Sequence, residues 1–196
     1  MTILAEPRWK SYLVETLKPV LTPQQCDDVI KIGQNQPCIN AEVATGKPGD
    51  KKRNKVDKKK RLTQISWIPF RLAKPMYQII ERWLLDTNIN HFNFDGMQIT
   101  EQAQYTEYSK GGFYDWHMDS SIEMSTMPNV RKISMTLLLS EPKDFKGGTL
   151  EVANKSLNLK RGYAVFFASF LRHRVHSVTQ GNRKSLVMWF GGPPLK

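Results

Sequence analysis

Tyr108-Ser-Lys-Gly-Gly-Phe-Tyr-Asp-Trp-His117-Met-Asp119 reads as the end of one strand, a Lys110-Gly-Gly turn and a second strand opening at Tyr114. Residues two apart on a strand share a face, so His117 and Asp119 project an imidazole and a carboxylate together. Outward from this stretch the same texture repeats. Strand-like runs are expected at Met97–Tyr108, Tyr114–Met118, Lys132–Ser140, Thr149–Ala153, Ala164–Phe167, Val175–Thr179 and Lys184–Phe190. Glu141-Pro, Lys146-Gly-Gly, Lys160-Arg-Gly and Thr179-Gln-Gly-Asn punctuate them. Many short strands at such spacing predict a β sandwich or barrel.

The front of the chain has a different period. Thr22 followed by Pro23 reads as an N-cap with proline at the first helical position. Cys26, Val29, Ile30 and Gly33 then fall on one face, up to a stop near Pro37. A second helix is expected from about Phe70 to Asp86, with Leu72, Met76, Ile79, Ile80, Trp83 and Leu84 as its apolar stripe. The expected architecture is mainly β with supporting α-helices, the helices packed on one face of the β core. At 196 residues, one domain is expected over 1–196, with helical support over about 1–92 and the β core over about 93–192. A hydrophobic share of 40% against 24% charged residues excludes disorder as the general state.

The formal net charge is +11, but it is not evenly spread. Between Gly46 and Arg61 stand nine basic and two acidic residues, 9 − 2 = +7, which leaves 11 − 7 = +4 for the rest. This stretch has almost nothing apolar to bury, so a mobile basic loop over 46–61 is expected. It can be a solvated insertion, a nucleic-acid contact or a lid. No aromatic residue lies between Gly46 and Arg61 to stack on bases, which weighs against nucleic acid. Cys26 and Cys38 lack metal or redox spacing. The opening Met1–Arg8 has no basic region leading into an apolar run, and no stretch nears the roughly 18–20 apolar residues of a membrane span. An intracellular, reducing setting is the expectation, without membrane contact.

Four histidines are present: His91, His117, His173 and His176. Added to His117 and Asp119, a histidine from a distant strand would complete a two-histidine, one-carboxylate face, a ligand set suited to non-haem Fe(II) and oxygen. His173 and His176 both qualify. Three residues apart, they point to opposite faces of a regular strand. His91, near a helix end, reads as a surface or capping residue.

The Tyr108–Asp119 stretch resembles the first signature of the Fe(II)- and 2-oxoglutarate-dependent oxygenases, prolyl-4-hydroxylase branch, where Tyr-x-x-Gly-Gly-x-Tyr runs into His-x-Asp. His173-Arg-Val-His-Ser-Val-Thr-Gln-Gly-Asn-Arg183, with Trp189 following, is similar to the second. Ser177 stands where that pattern has proline. Arg131-Lys-Ile-Ser-Met-Thr-Leu-Leu-Leu and Gly147-Gly-Thr-Leu resemble the intervening strand and turn, with Leu138 replacing the usual tyrosine. The resemblance covers about Ala41 to Gly191 and implies a double-stranded β-helix, or jelly roll. Its spacing to a basic residue ten places on selects His173. It implies Fe(II) on His117, Asp119 and His173, with 2-oxoglutarate chelating that iron, O2 as oxidant and ascorbate as reductant. Arg183 is implied as partner of the distal carboxylate, and Tyr108 and Thr136 as further cosubstrate contacts. The segment from Ala41 to Trp67 is similar in placement to the loop that closes over a peptide in prolyl hydroxylases. The implied reaction is hydroxylation of an unactivated C–H bond, first of all on a peptidyl proline, so a peptide or protein is the expected partner. The same chemistry on a nucleic acid or a free amino acid is the alternative, and a non-enzymatic basic binding module the rival.

Overall fold

The structure, a computed structural model, describes residues 11–41, 43–44, 54–55, 57–120 and 129–194, with backbone alone at 43, 44, 54 and 55. Its larger sheet runs in the order Leu13–Glu15, Ala164–Ala168, Val130–Leu138, Arg183–Gly192, Ala103–Tyr108, Gln64–Ile68, Ile39–Asn40. Gln98–Ile99 also pairs with Arg183–Gly192. The smaller sheet runs Lys155–Leu157, Leu150–Val152, His173–Val175, Phe113–His117, Arg61–Leu62. All these pairings are antiparallel. The two sheets face each other across Val165, Phe167 and Tyr108 on one side and Leu150, Val152, Leu157 and Val175 on the other. This is the expected jelly-roll core.

Strand alternation assigns each face of the larger sheet a separate task. Outward-facing Ile133, Met135, Leu137, Leu186, Met188, Phe190, Ala103, Tyr105 and Phe166 share one core with helix residues Cys26, Val29, Met76, Tyr77, Ile80 and Leu84. Their neighbours in sequence face inward and include buried Ser134, Thr136, Arg183, Ser185, Gln104 and Thr106. Apolar residues seal the helices to the outside. Polar ones line the interior.

The first helix is Pro23–Gln34, and Thr22 and Gln25 close a reciprocal capping box at its start. Gly33 lets this helix lie directly on the sheet: a Cβ there would stand 2.4 Å from Cγ of Tyr105. Gly33→Ala is therefore expected to destabilise the fold by about 1–3 kcal/mol through overpacking. Urea unfolding of the variant measures it, and an unchanged midpoint would contradict the close approach.

Several boundaries differ from expectation. The second helix begins only at Lys74, after a separate 3₁₀ turn at Phe70–Leu72, because Pro75 can occupy a first helical turn but not an interior one. It ends at Thr87 and continues as a π turn, Asn88–Phe92. Met97–Tyr108 splits into Gln98–Ile99 and Ala103–Tyr108. Val175–Thr179 divides between His173–Val175 and Val178–Gly181. The region 1–92 is not only helical, since Leu13–Glu15, Arg61–Leu62 and Gln64–Ile68 are sheet strands. Of the basic segment 46–61, residues 46–53 and 56 lie outside the described residues. Asn54–Lys55 pairs with Val43–Ala44, and Asp57–Lys60 forms a turn. Arg61 is a buried strand residue rather than part of a solvated loop. No helix among the described residues is long and apolar enough to cross a membrane.

Candidate functional site

His117 ends the strand Phe113–His117 and His173 begins the strand His173–Val175. Antiparallel pairing sets the two opposite each other, with ring centroids 4.0 Å apart. Asp119 follows two residues later, and its backbone N–H donates to the Ser169 carbonyl at 2.9 Å, which ties it to the turn before His173. One ligand atom from each of His117, Asp119 and His173 lies within 4.8 Å of the others. Nε2 of His117 is 3.7 Å from Oδ1 of Asp119, and Nε2 of His173 is 3.4 Å from Oδ2.

The tautomers suit a metal. Nδ1 of His117 lies 2.8 Å from the Asp115 carbonyl and Nδ1 of His173 lies 3.0 Å from the Leu171 carbonyl. A carbonyl only accepts, so each Nδ1 carries a proton and each Nε2 is left to face the cluster. Burial, and then the neighbouring His173, push the His117 imidazole down to about 3, which keeps it neutral near pH 7. Burial pushes the Asp119 carboxyl up, but His173, His117, Ser134 and Trp189 together hold it below its ordinary value. Two imidazole Nε2 atoms facing one carboxylate make a ligand set that fits a divalent cation such as Fe(II).

Asp119 is also held from behind. Ser134 Oγ donates to Oδ2 at 2.7 Å, and Ser134 and Ser169 hydroxyls are 2.9 Å apart, both buried. The Trp189 indole N–H is buried and has no hydrogen-bond partner of normal geometry among the described residues, though it lies close enough to Asp119 to favour the carboxylate. Arg131 covers the Trp189 ring at 4.1 Å and is itself clamped by both oxygens of Glu101. Ser134→Ala is expected to weaken Fe(II) binding about 10- to 100-fold, with Ser134→Thr restoring most of it. Equal metal titrations for serine and alanine would remove Ser134 from this role.

His176 is elsewhere. Its Nε2 meets Glu151 Oε2 at 2.7 Å, and Arg174 donates to the same carboxylate oxygen. Of the two histidines left open by spacing, His173 joins the cluster. His91, at the end of the π turn, accepts the Ser11 N–H through its carbonyl.

Arg183 lies deep in the interior at 3% exposure. It donates to Ser185 Oγ at 3.0 Å, and its guanidinium sits 5.6 Å from the ring of Tyr108, its partner across the ladder. No carboxylate pairs with it among the described residues, and burial pulls its pKa down. Gly148 makes room for the side chain, since a Cβ there would stand 2.8 Å from Cδ of Arg183. Thr136 is buried on the same inward face, and Leu138 leaves no hydroxyl where the family pattern has tyrosine. A cavity of about 350 Å³ bordered by Leu138, Gly148, Leu150 and Leu157 reaches Arg183, but none of the three clustered ligands lines it.

Two inward residues had escaped the sequence reading. Arg61 donates to Gln104 Oε1 at 3.1 Å and lies 4.3 Å over the ring of Tyr114, which stacks on His117 with centroids 3.5 Å apart. Arg61 looked like the end of a charge run, and nothing in its spacing marks it as buried. Ser134 did carry a signal: it alternates with Ile133 and Met135, which face the helices.

Residues 103–191 match the family model described as the 2OG-Fe(II) oxygenase superfamily. Among curated relatives, a PKHD-type hydroxylase of Teredinibacter turnerae is 38% identical over 90 residues, 42% of this chain and 39% of that protein. One from Psychrobacter sp. is 29% identical over 127 residues, 59% and 48% of the two chains. The chain thus spans about half the length, or less, of these relatives in the matched regions. Among solved structures, a viral collagen prolyl hydroxylase of Paramecium Bursaria Chlorella virus-1 superposes with a TM-score of 0.70 at 16% identity, covering 93% and 97% of the chains. A Trichoplax adhaerens prolyl hydroxylase, solved with a hypoxia inducible factor peptide fragment, gives 0.69 at 16% identity, covering 91% and 83%. At that identity the structures speak for the fold alone. The matched segment, a little under half of this chain, contains His117, Asp119 and His173 together with Arg183, so the resemblance to the 2OG-Fe(II) oxygenase superfamily falls on the residues that form the site, while the prolyl hydroxylases share its jelly-roll fold.

Proposed function

We propose that this protein is an Fe(II)- and 2-oxoglutarate-dependent dioxygenase that hydroxylates a peptidyl residue, proline first of all. The observation that carries the reading is the cluster of His117, Asp119 and His173 in a barrel whose interior also holds Arg183, with no carboxylate partner for it among the described residues. When Fe(II), 2-oxoglutarate and O2 are bound, such a centre couples conversion of the keto acid to succinate and CO2 with insertion of one oxygen atom into a C–H bond. His117 and His173 present their Nε2 atoms and Asp119 a carboxylate oxygen, all three fixed by backbone or serine hydrogen bonds. Arg183 offers its fork to the distal carboxylate of the cosubstrate, since a dicarboxylate supplies an anion that no carboxylate among the described residues gives the buried guanidinium. Tyr108 and Thr136 stand on the same inward surface to bind the cosubstrate, and the apolar residues between the sheets keep water out. The whole chain 1–196 acts as one oxygenase domain in this reading. The names of the PKHD-type hydroxylases support hydroxylation, and the peptide bound in the Trichoplax adhaerens prolyl hydroxylase of the same fold supports a peptide substrate.

The test is succinate formation with Fe(II), 2-oxoglutarate and ascorbate against proline-rich peptides, free proline and oligonucleotides. Peptide-stimulated turnover is the expected result. Stimulation by oligonucleotides alone would transfer the chemistry to nucleic acid. No turnover of 2-oxoglutarate under any condition would leave only a binding module.

A further inference from the structure

The strands that carry His117 and His173 inward carry a different group outward. Trp116 precedes His117, and Arg172 and Arg174 flank His173. Both guanidiniums lie over the Trp116 indole, Arg174 at 4.6 Å and Arg172 at 5.4 Å. Their charges are not equally spent. Arg174 donates through Nε and a terminal nitrogen to Glu151 Oε2, each at 2.8 Å, and His176 meets the same oxygen at 2.7 Å. The neighbouring Asp115 carboxylate accepts the backbone N–H of Trp116 at 2.8 Å, and Lys155 pairs with Glu15 at 2.8 Å. Arg172 is exposed and has no carboxylate partner among the described residues.

Stacking uses the flat face of a guanidinium and leaves its N–H edge free for a bidentate acceptor. Trp116 thus holds Arg172 ready while Glu151 occupies Arg174. We infer that Arg172 on Trp116 is a docking point for an acidic side chain of the peptide substrate, close in sequence to the residue that is hydroxylated. Each peptide residue spans at most about 3.6 Å, and Arg172 and Trp116 each adjoin a clustered histidine, so the acidic residue falls within a few positions of the target. The inference rests on the peptide-hydroxylase reading. One uncommitted guanidinium on one indole suits a single carboxylate, whereas a nucleic-acid track needs several cations in a row.

The experiment uses the Fe(II)- and 2-oxoglutarate-loaded protein without oxygen, with fluorescein-labelled (Pro-Glu)5, (Pro-Gln)5 and (Pro-Lys)5 peptides and an oligo-dT ten-mer as probes. (Pro-Glu)5 is expected to bind about fivefold more tightly than (Pro-Gln)5 at low salt, the difference shrinking as salt rises. Arg172→Ala should erase most of that preference while leaving Fe(II) binding and peptide-independent 2-oxoglutarate decarboxylation unchanged. Arg172→Lys should retain part of it, keeping the charge but not the stacked fork. An acidic preference that survives Arg172→Ala, or no preference in the parent protein, overturns the inference. So does a loss confined to the oligonucleotide. If the parent protein never turns over 2-oxoglutarate, it is the enzymatic reading that fails, whatever the peptide preference.

Discussion

Asp119→Ala is expected to abolish succinate formation and to weaken Fe(II) binding by more than about 100-fold, beyond the 10- to 100-fold typical of losing an outer hydrogen bond to a ligand. Removing the carboxylate leaves only two imidazoles to hold a divalent ion. It also leaves Ser134 Oγ and the Trp189 indole facing a void where they now face a carboxylate. His173→Ala should be nearly as severe, since its Nε2 is one of the three atoms within 4.8 Å. His176→Ala should keep most of the activity, because its imidazole is engaged with Glu151. Metal titration and succinate yield, run on variants whose circular dichroism matches the parent, separate the three. The reverse order between the two histidines would overturn the assignment of His173.

The parts of this site that could be read from sequence were those where a local rule determines direction. The alternation through Ile133, Ser134, Met135 and Thr136 turns the polar pair inward because a strand repeats every two residues, whereas the strand of His117 ends there and Asp119 reaches the same site through its backbone hydrogen bond to Ser169. Periodicity could not choose between His173 and His176; the choice came from spacing to Arg183, and the ladder His117↔His173 shows its geometric basis. Arg61 was illegible. It joins a run of basic residues, and its burial follows from pairing with Tyr114, a contact 53 residues away in sequence (114 − 61). The same limit moved the second helix, where Pro75 outweighed an apolar stripe that continued through Phe70 and Leu72.

Arg183→Ala should raise the KM for 2-oxoglutarate by roughly 30- to several thousand-fold, the equivalent of about 2–5 kcal/mol for removing one partner of a buried charge pair. The magnitude follows from burial. At 3% exposure the guanidinium has little water to share, and Ser185 Oγ at 3.0 Å and the ring of Tyr108 are neutral partners. A cosubstrate carboxylate would therefore be its counter-ion, and without Arg183 that carboxylate would be buried with no cation beside it. Arg183→Lys should be milder, since it retains the charge but lacks the two-pronged geometry, and Leu138 supplies no hydroxyl to compensate. The measurement is the dependence of peptide-independent 2-oxoglutarate decarboxylation on cosubstrate concentration. An unchanged KM in Arg183→Ala would require another cation to hold the carboxylate. Lys132, in the neighbouring strand, and Lys184, next to Arg183 in its own, are poor substitutes: Lys132 donates to the Asp95 carbonyl at 3.2 Å, and Lys184 occupies the opposite face of the strand from Arg183. Arg61, buried against Tyr114 and Gln104, would then be the residue to replace next.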